Sequence, residues 1–412
     1  MNRSWITILT ILIALATSHN AWGAISEDLY GENFTLDIFG NANMDDTIDE
    51  KDIAYVEGVI KGTNAATNLS DANYDGKIDI QDEDQIDKII HRENKELTIV
   101  DSSKRIVSVK KPVEKITVSD FYAAEVVRAI GAKDKIVGVG NYAAQYPEYY
   151  PDLYLKPTVS GPNYEQIIKL DPDIVINLAS FGKVSPNEMQ KNLESADIPV
   201  VGMDFYIPPT HIKEVKTLGY LLDKEKEADD YITFLKSNYD LIKDRLKDLK
   251  QEEKKSVYYE SGKKYFSSGG STSGYHELIS MAGGINIFAD FPPFSEVDPE
   301  AVIKRNPDVI VKNTAINGYN LTNAISLENS RKEVLNRLEL ANITAVKNDD
   351  VYALSYTIIG EGGKYPAGVC YLAKILYPDK FKDLDPDAVL KEYLEKYQGL
   401  PYQGAYIYPK LA

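Results

Sequence analysis

Two stretches of the chain repeat one pattern of apolar and polar positions. In Glu165 to Ile176, EQIIKLDPDIVI, the apolar residues Ile167, Ile168 and Leu170 recur at helical spacing, a proline stops them, and a run of β-branched residues follows. Glu300 to Val311, EAVIKRNPDVIV, says the same thing with five of twelve positions identical. Proline pushes the residue before it out of the helical region, so each helix ends there. A β-branched run without alternation suits a strand covered on both faces, as in a parallel sheet. A helix, a Pro-Asp pair and a buried strand stated twice predict two α/β lobes of similar plan.

Periodicity supplies the rest of each lobe. Ser119 is placed to cap a helix through Ala123, Ala124, Val127 and Ile130 that Gly131 terminates, and Ile136 to Gly140 then reads as a strand. Val200 to Phe205 is a further strand of the first lobe. Lys224 to Lys250 holds neither Gly nor Pro, with Ala228, Tyr231, Leu235, Ile242, Leu246 and Leu249 on one side. A helix of that length reaches about 40 Å, enough to join two lobes. The second lobe opens at Ser256 to Tyr259 and continues through a helix at Tyr275 to Ala282, the Glu300 unit, a strand at Val351 to Tyr356 and helices at Ala367 to Leu376 and Pro386 to Tyr397.

Ahead of the lobes, two loops in register change the picture. Asn41, Asn43, Asp45, Asp49 and Asp52 occupy positions 1, 3, 5, 9 and 12 of the first, and Asp71, Asn73, Asp75, Asp79 and Asp82 those of the second; Thr47 and Lys77 stand at position 7, where a backbone carbonyl serves. Six or more oxygens at this spacing are what a hard cation demands, so both loops are expected to take Ca²⁺. Gly76 supplies the sharp turn at position 6, where the first loop has Asp46, a residue type that tolerates a left-handed backbone. Asp at position 12 and the close repeat resemble a dockerin module, which docks onto cohesin domains, over Asp37 to about Arg92. The expectation is that calcium stabilises this module and leaves the lobes unaffected.

Composition sets limits. With 412 residues and 43% hydrophobic content there is room for two or three cored domains, and the net charge of −17 argues against nucleic acid or anionic lipid as partner. From Ile25 to Glu96, nineteen acids face six Lys/Arg, so about −13 of that charge sits in the N-terminal segment. Cys370, the single cysteine, excludes a disulfide framework and lies in an apolar run, as an inert buried thiol would. Four scattered histidines leave no catalytic or free-metal cluster, and an enzyme is not expected. Met1 to Ala24 reads as an export signal: Arg3, an apolar stretch from Trp5 to Ala16, then small residues favouring cleavage after Gly23 or Ala24.

Four further segments carry a family resemblance: Ala124 to Gly131 (AEVVRAIG), Tyr164-Glu165 with Pro172-Asp173, Gly283 to Asp290 (GGINIFAD), and Pro299-Glu300 with Pro307-Asp308. From about Arg105 to Gly399 the chain resembles the periplasmic binding proteins that feed ABC importers of iron complexes and cobalamin. The resemblance implies an α/β fold of two Rossmann-like lobes joined by a long helix, here preceded by a small all-α calcium-loop module. The expected division is a signal peptide over 1–24, the module over 36–95, the first lobe over 105–220, the linking helix over 221–253 and the second lobe over 254–400. It further implies that Glu165 and Glu300 bind arginines of the importer's permease. Loops at the carboxyl ends of strands should line a ligand cleft. These loops hold Tyr142, Tyr146, Phe181 and Tyr206 in the first lobe, and Tyr259, Tyr265, Phe294, Tyr356 and Lys364 in the second. The cargo expected there is a metal chelate, an iron-siderophore or haem-like complex or alternatively a corrinoid. A second reading makes the chain a surface interaction protein acting through its dockerin-like module and a cohesin partner.

Overall fold

The computed structural model describes residues 29–411 apart from 161–162, 181, 263, 268–269, 271–272, 293–294 and 360–361. The export signal expected over 1–24 lies outside the described residues, as do Phe181 and Phe294.

Two helices, α1 (Glu50–Ile60) and α2 (Ile80–Ile90), follow the two acidic loops, each opened by the last turn of its loop. Asp49 and Asp79 cap them reciprocally with Asp52 and Asp82. The paired strands β1 (Glu96–Val100) and β2 (Ile106–Lys110) come next. The first lobe is a four-stranded, wholly parallel sheet in the order β4-β3-β5-β6, formed by β3 (Ile116–Val118), β4 (Ile136–Val139), β5 (Ile174–Asn177) and β6 (Val200–Gly202). The helix α3 (Phe121–Ala129) follows β3. Its cap is Asp120, whose Oδ1 accepts the Ala123 amide at 3.0 Å, and not Ser119 as the spacing suggested. Ser119 Oγ is turned instead to Asn177 Oδ1 at 2.9 Å, tying the end of β3 to the end of β5.

The second lobe is a seven-stranded sheet. Its parallel centre is β7 (Ser256–Ser261), β11 (Val309–Thr314) and β12 (Val351–Ser355), joined by β9 (Ile285–Asn286) alongside β7. The strands β8 (Phe266–Ser267), β10 (Ser295–Glu296) and β13 (Ile407–Tyr408) pair antiparallel at its margins.

The repeated units fall one to each sheet: helix Tyr164–Leu170 leads into β5 and helix Pro299–Arg305 into β11. The residue before each proline is left-handed, φ 49° at Asp171 and 41° at Asn306, a conformation Asp and Asn adopt more readily than other side chains. The aspartate after each proline ties down the neighbouring strand. Asp173 Oδ2 accepts the amides of Glu114 and Lys115, both at 2.7 Å, while Asp308 Oδ2 accepts the Ser256 amide at 2.8 Å and its hydroxyl at 2.7 Å. The Pro-Asp pair thus stops a helix and fixes where the next strand joins its sheet.

The connecting helix runs from Glu225 to Leu246, 22 residues and so about 33 Å long, and stops short of Lys250. It buries Ala228, Tyr231, Leu235 and Ile242 against helix Pro208–Leu222 on one side and helix Tyr365–Leu376 on the other. Cys370 lies within the second of these, fully buried, where desolvation pushes its thiol up to about 12. The N-terminal segment is not a separate bead. Leu36, Ile38, Val56 and Ile86 belong to one continuous core with Ile99, Leu218 and Tyr231. Polar ties reinforce this: Tyr220 Oη accepts the Ile48 amide at 3.0 Å, and Arg92 meets Glu225 at 2.7 Å. A transition confined to this segment, as its loop pattern suggested, does not fit such packing.

Candidate functional site

A cavity of about 200 Å³ opens between the lobes, lined by Phe121, Tyr142, Gln145, Tyr146, Tyr149 and Tyr150 from the first and Asn317, Tyr356 and Thr357 from the second. Nearly all of its walls begin just past the carboxyl end of a parallel strand: Phe121 after β3, Tyr142 after β4, Asn317 after β11, Tyr356 and Thr357 after β12. There the strands end and the loops are free to vary, the usual place for a site in α/β sheets. The rings pack edge to face. Tyr142 and Tyr150 have centroids 5.2 Å apart at 67°, and Tyr149 meets Tyr319 of the other lobe at 5.2 Å and 83°. Such arrangements give a stiff aromatic wall at low entropic cost.

Of the cleft residues expected from sequence, the structure brings Tyr142, Tyr146 and Tyr356 together here. Tyr206 is half-buried nearby, its ring 5.3 Å from Tyr122 and its hydroxyl 2.7 Å from Ser180 Oγ. Three others lie elsewhere. Tyr259 is buried in β7 and stacks on Tyr275 at 4.9 Å. Tyr265 packs in a separate core, donating to Glu339 Oε1 at 2.7 Å with Arg337 over its ring. Lys364, expected to present a cation to the ligand, is 1% exposed and donates to both oxygens of Glu125, at 2.7 and 2.9 Å. An isolated ammonium could not be buried so deeply; the carboxylate from α3 offsets its desolvation.

That pair anchors a buried network across the lobes. Tyr393 Oη donates to Glu125 Oε2 at 2.5 Å, Gln398 Nε2 to the Glu125 carbonyl at 3.0 Å, and Arg128 to the carbonyls of Tyr149 and Gln398 at 3.0 and 2.9 Å. Glu125 and Arg128, one helical turn apart, therefore fasten α3 to the carboxyl-terminal region below the cavity. Sequence reasoning placed both in a family segment without a role. The signal for Phe121, Tyr149 and Asn317 was there, since each follows the end of a strand.

Glu165 and Glu300 are both exposed on the first turns of their helices, which lead into strands of different sheets.

The two N-terminal loops share a hydrogen-bond plan. In the first, Asp52 accepts the amides of Asn43 and Asp49 at 3.0 and 2.9 Å; in the second, Asp82 accepts those of Asn73 and Asp79 at 3.1 and 2.8 Å. Asp45 takes the Thr47 amide and Asp75 the Lys77 amide. Position 6 is left-handed in both, φ 68° at Asp46 and 89° at Gly76. Asp52 and Asp82 are fully buried, and desolvation raises both, Asp52 to about 6. The Asn41 side-chain oxygen, at position 1, is buried without a hydrogen-bond partner. The donor set is all oxygen and the backbone course fits a calcium loop. Against this, no group of three or more His, Cys, Asp or Glu side chains among the described residues converges as a metal site, and Lys51 Nζ stands 3.1 Å from Asp49 and 3.4 Å from Asp45.

Comparison with known proteins gives the site its context. The sequence matches the periplasmic binding protein family over residues 118–356, more than half of the chain. The chain belongs to the periplasmic binding protein family. Among curated relatives, an uncharacterised ABC transporter substrate-binding lipoprotein of Bacillus subtilis, YvrC, is 28% identical over 70% of this chain and 87% of its own length. The molybdate-binding protein MolA of Haemophilus influenzae is 23% identical over 74% and 92%. A vitamin B12-binding protein of Yersinia pestis is 29% identical over 45% and 65%. The TroA-like periplasmic binding protein FepB of Veillonella parvula superposes with a TM-score of 0.61 at 24% identity, covering 75% of this chain and 98% of that one, a likeness of fold. These relatives are solute-binding proteins rather than enzymes, and their periplasmic or lipoprotein character fits an extracytoplasmic location.

Proposed function

We propose that the protein is the solute-binding component of an ABC importer, capturing a metal chelate between its lobes and presenting it to a permease. The chelate is an iron complex of siderophore or haem-like type; a corrinoid is the alternative, favoured by the vitamin B12-binding relative. The aromatic cavity at the carboxyl ends of both sheets carries this reading, because its rings can stack on an apolar or planar face of a bound complex. Glu165 and Glu300 serve as docking anchors, one per lobe, where charge pairing sets orientation and encounter rate. The double variant Glu165→Ala, Glu300→Ala should bind chelate as the parent does while uptake through the importer fails. Loss of chelate binding in that variant would sink the docking role.

A second reading is supported by the paired loops: Ca²⁺ held by Asn41, Asn43, Asp45, Thr47, Asp49 and Asp52, and by Asp71, Asn73, Asp75, Lys77, Asp79 and Asp82, in a dockerin-like module over 36–95 that meets a cohesin. The buried, unpartnered Asn41 oxygen and the buried Asp52 and Asp82 favour calcium. Because the module shares its core with the first lobe, chelation by EGTA should lower the main calorimetric transition rather than a separate one. A melting profile indifferent to chelator and to added Ca²⁺ would overturn the calcium assignment.

A further inference from the structure

We propose that Leu29 to Leu36 is a strap that braces the two lobes against one another and holds them at one separation. Its far end is pinned by the first acidic loop, where Asp46 Oδ1 accepts the Leu36 amide at 2.7 Å. From there it reaches all three parts of the hinge. Gly31 is buried against helix Pro208–Leu222 of the first lobe, so closely that a Cβ there would stand 2.7 Å from the Pro209 carbonyl oxygen. With a φ of 66° as well, this point of the strap admits glycine and resists any side chain. Tyr30 sets its ring 6.2 Å from that of Tyr239 on the connecting helix, and Lys243 of the same helix lies over the Tyr30 ring and pairs with Glu32. The Tyr30 hydroxyl then crosses to the second lobe and donates to the Met281 carbonyl at 3.1 Å. Met281 ends helix Gly274–Met281, where the last carbonyls find no donor within the helix, so the hydroxyl supplies one from outside. Leu29, Tyr30 and Phe34 pack on the continuous core as they pass.

The position of these ties along the connecting helix is what makes them a brace. The buried network of Glu125, Lys364 and Tyr393 fastens the lobes at the level of Tyr231 and Phe234: Tyr231 Oη donates to the Gly363 carbonyl at 3.3 Å, and Phe234 stacks over Tyr393 with centroids 6.5 Å apart. Tyr239 and Lys243 lie eight and twelve residues beyond Tyr231 on the same helix, about 12 and 18 Å further along it. One fastening lets two bodies pivot about it; two, spaced along a stiff rod, do not. Singly the strap's ties are weak, since a partly exposed pair such as Glu32 with Lys243 adds little. Contact with both lobes and the rod at once is what restrains movement. For a solute-binding protein the consequence is a cleft already formed before cargo arrives.

The test attaches spin labels at Glu165→Cys and Glu300→Cys, exposed positions that belong one to each lobe, in the full chain. Cys370 is fully buried with its thiol pushed up to about 12, and it stays unlabelled. Pulsed dipolar spectroscopy should give one narrow distance distribution in the parent. Tyr30→Ala should broaden that distribution or move its centre by more than about 2 Å, the scale of a domain rearrangement. Gly31→Ala, which drives the strap off the Pro209 carbonyl, should do the same. Tyr30→Phe, which keeps the ring and loses only the bond to Met281, should do so to a smaller extent. If Tyr30→Ala does not fold, the other two variants decide. A parent distribution as broad as those of the variants, or variants that keep the parent's distribution, would overturn the brace. No cargo enters the measurement, so that failure would leave the solute-binding reading standing.

Discussion

The two lobes share a plan, yet one buried cluster in each treats polarity in the opposite way. In the second, Glu260 is completely buried and surrounded by cations: Arg337 donates to both its oxygens at 2.6 and 2.7 Å, and Lys312 Nζ to Oε1 at 2.7 Å. Burial works to raise this carboxyl, but the two cations outweigh it and hold it below the usual range. In the first lobe, Glu125 is paired with Lys364, but a second buried cluster goes without opposite charges. His211, from helix Pro208–Leu222, is fully buried among Phe205, Tyr231 and Tyr365 with neither ring nitrogen hydrogen-bonded, and burial pushes it down to about 3. Glu214, one turn on, is raised to about 7 by burial and by Asp204. The Glu260 cluster keeps its carboxylate charged by pairing it; the His211 and Glu214 cluster is shifted toward the neutral forms by desolvation. The first contributes stability through ion pairing and the second makes stability depend on pH.

Glu260→Gln should break this contrast most severely. It leaves Arg337 and Lys312 buried against a neutral amide, and removal of one partner from a buried pair costs about 3–5 kcal/mol. Denaturant unfolding should show that loss at neutral pH; a change below about 1 kcal/mol would mean that water reaches the cluster and the two clusters do not differ in this way.

His211→Leu should sharpen the contrast from the other side. An imidazole with no polar partner has no hydrogen bond to lose, so stability near pH 7 should change by less than about 1.5 kcal/mol. In the wild type, the folded-state value of about 3 lies below the ordinary 6.5, so the unfolded chain binds the proton first. The contribution is fully present above about 6.5 and is lost as pH falls toward 3, on the order of a few kcal/mol. The variant's stability should fall less steeply across that window. Glu214 acts in the opposite sense, since a raised acid loses stability as pH rises toward 7, and comparing variant with parent cancels it. Identical acid limbs in the two proteins would show that His211 is protonated in the folded state.

The smallest effect belongs to the one feature both lobes share openly. Glu165→Ala and Glu300→Ala remove exposed side chains and should shift stability by less than about 0.5 kcal/mol in either lobe, so any transport defect they cause is not a folding defect.

Much of this was legible in the sequence. The Pro-Asp repeat placed two strands correctly because local rules act there: proline ends a helix, and an unbroken β-branched run is buried on both faces. The shared turn plan of the acidic loops was legible for the same reason, since Asp52 and Asp82 meet their amide partners within twelve consecutive residues. The module's packing was not. Nothing local to Ile48 announces Tyr220, or to Arg92 its partner Glu225. The cleft was half legible: the loops beyond strand ends could be named, but not which tyrosines face inward. Tyr259 alternates into a helix-covered face of β7, and Tyr265 turns toward Glu339 through a left-handed backbone, φ 52°.

By itself, then, the sequence determined two α/β lobes, the helix that links them and the acidic loops, since each follows from interactions within a dozen or so neighbouring residues. Only the tertiary structure decided that Lys364 belongs to Glu125, 239 positions away, and that Glu260 takes Arg337 and Lys312 from two other elements. The physical reason is that burying a charge is tolerable only beside its counter-charge, and which counter-charge arrives is fixed by the fold and not by proximity along the chain.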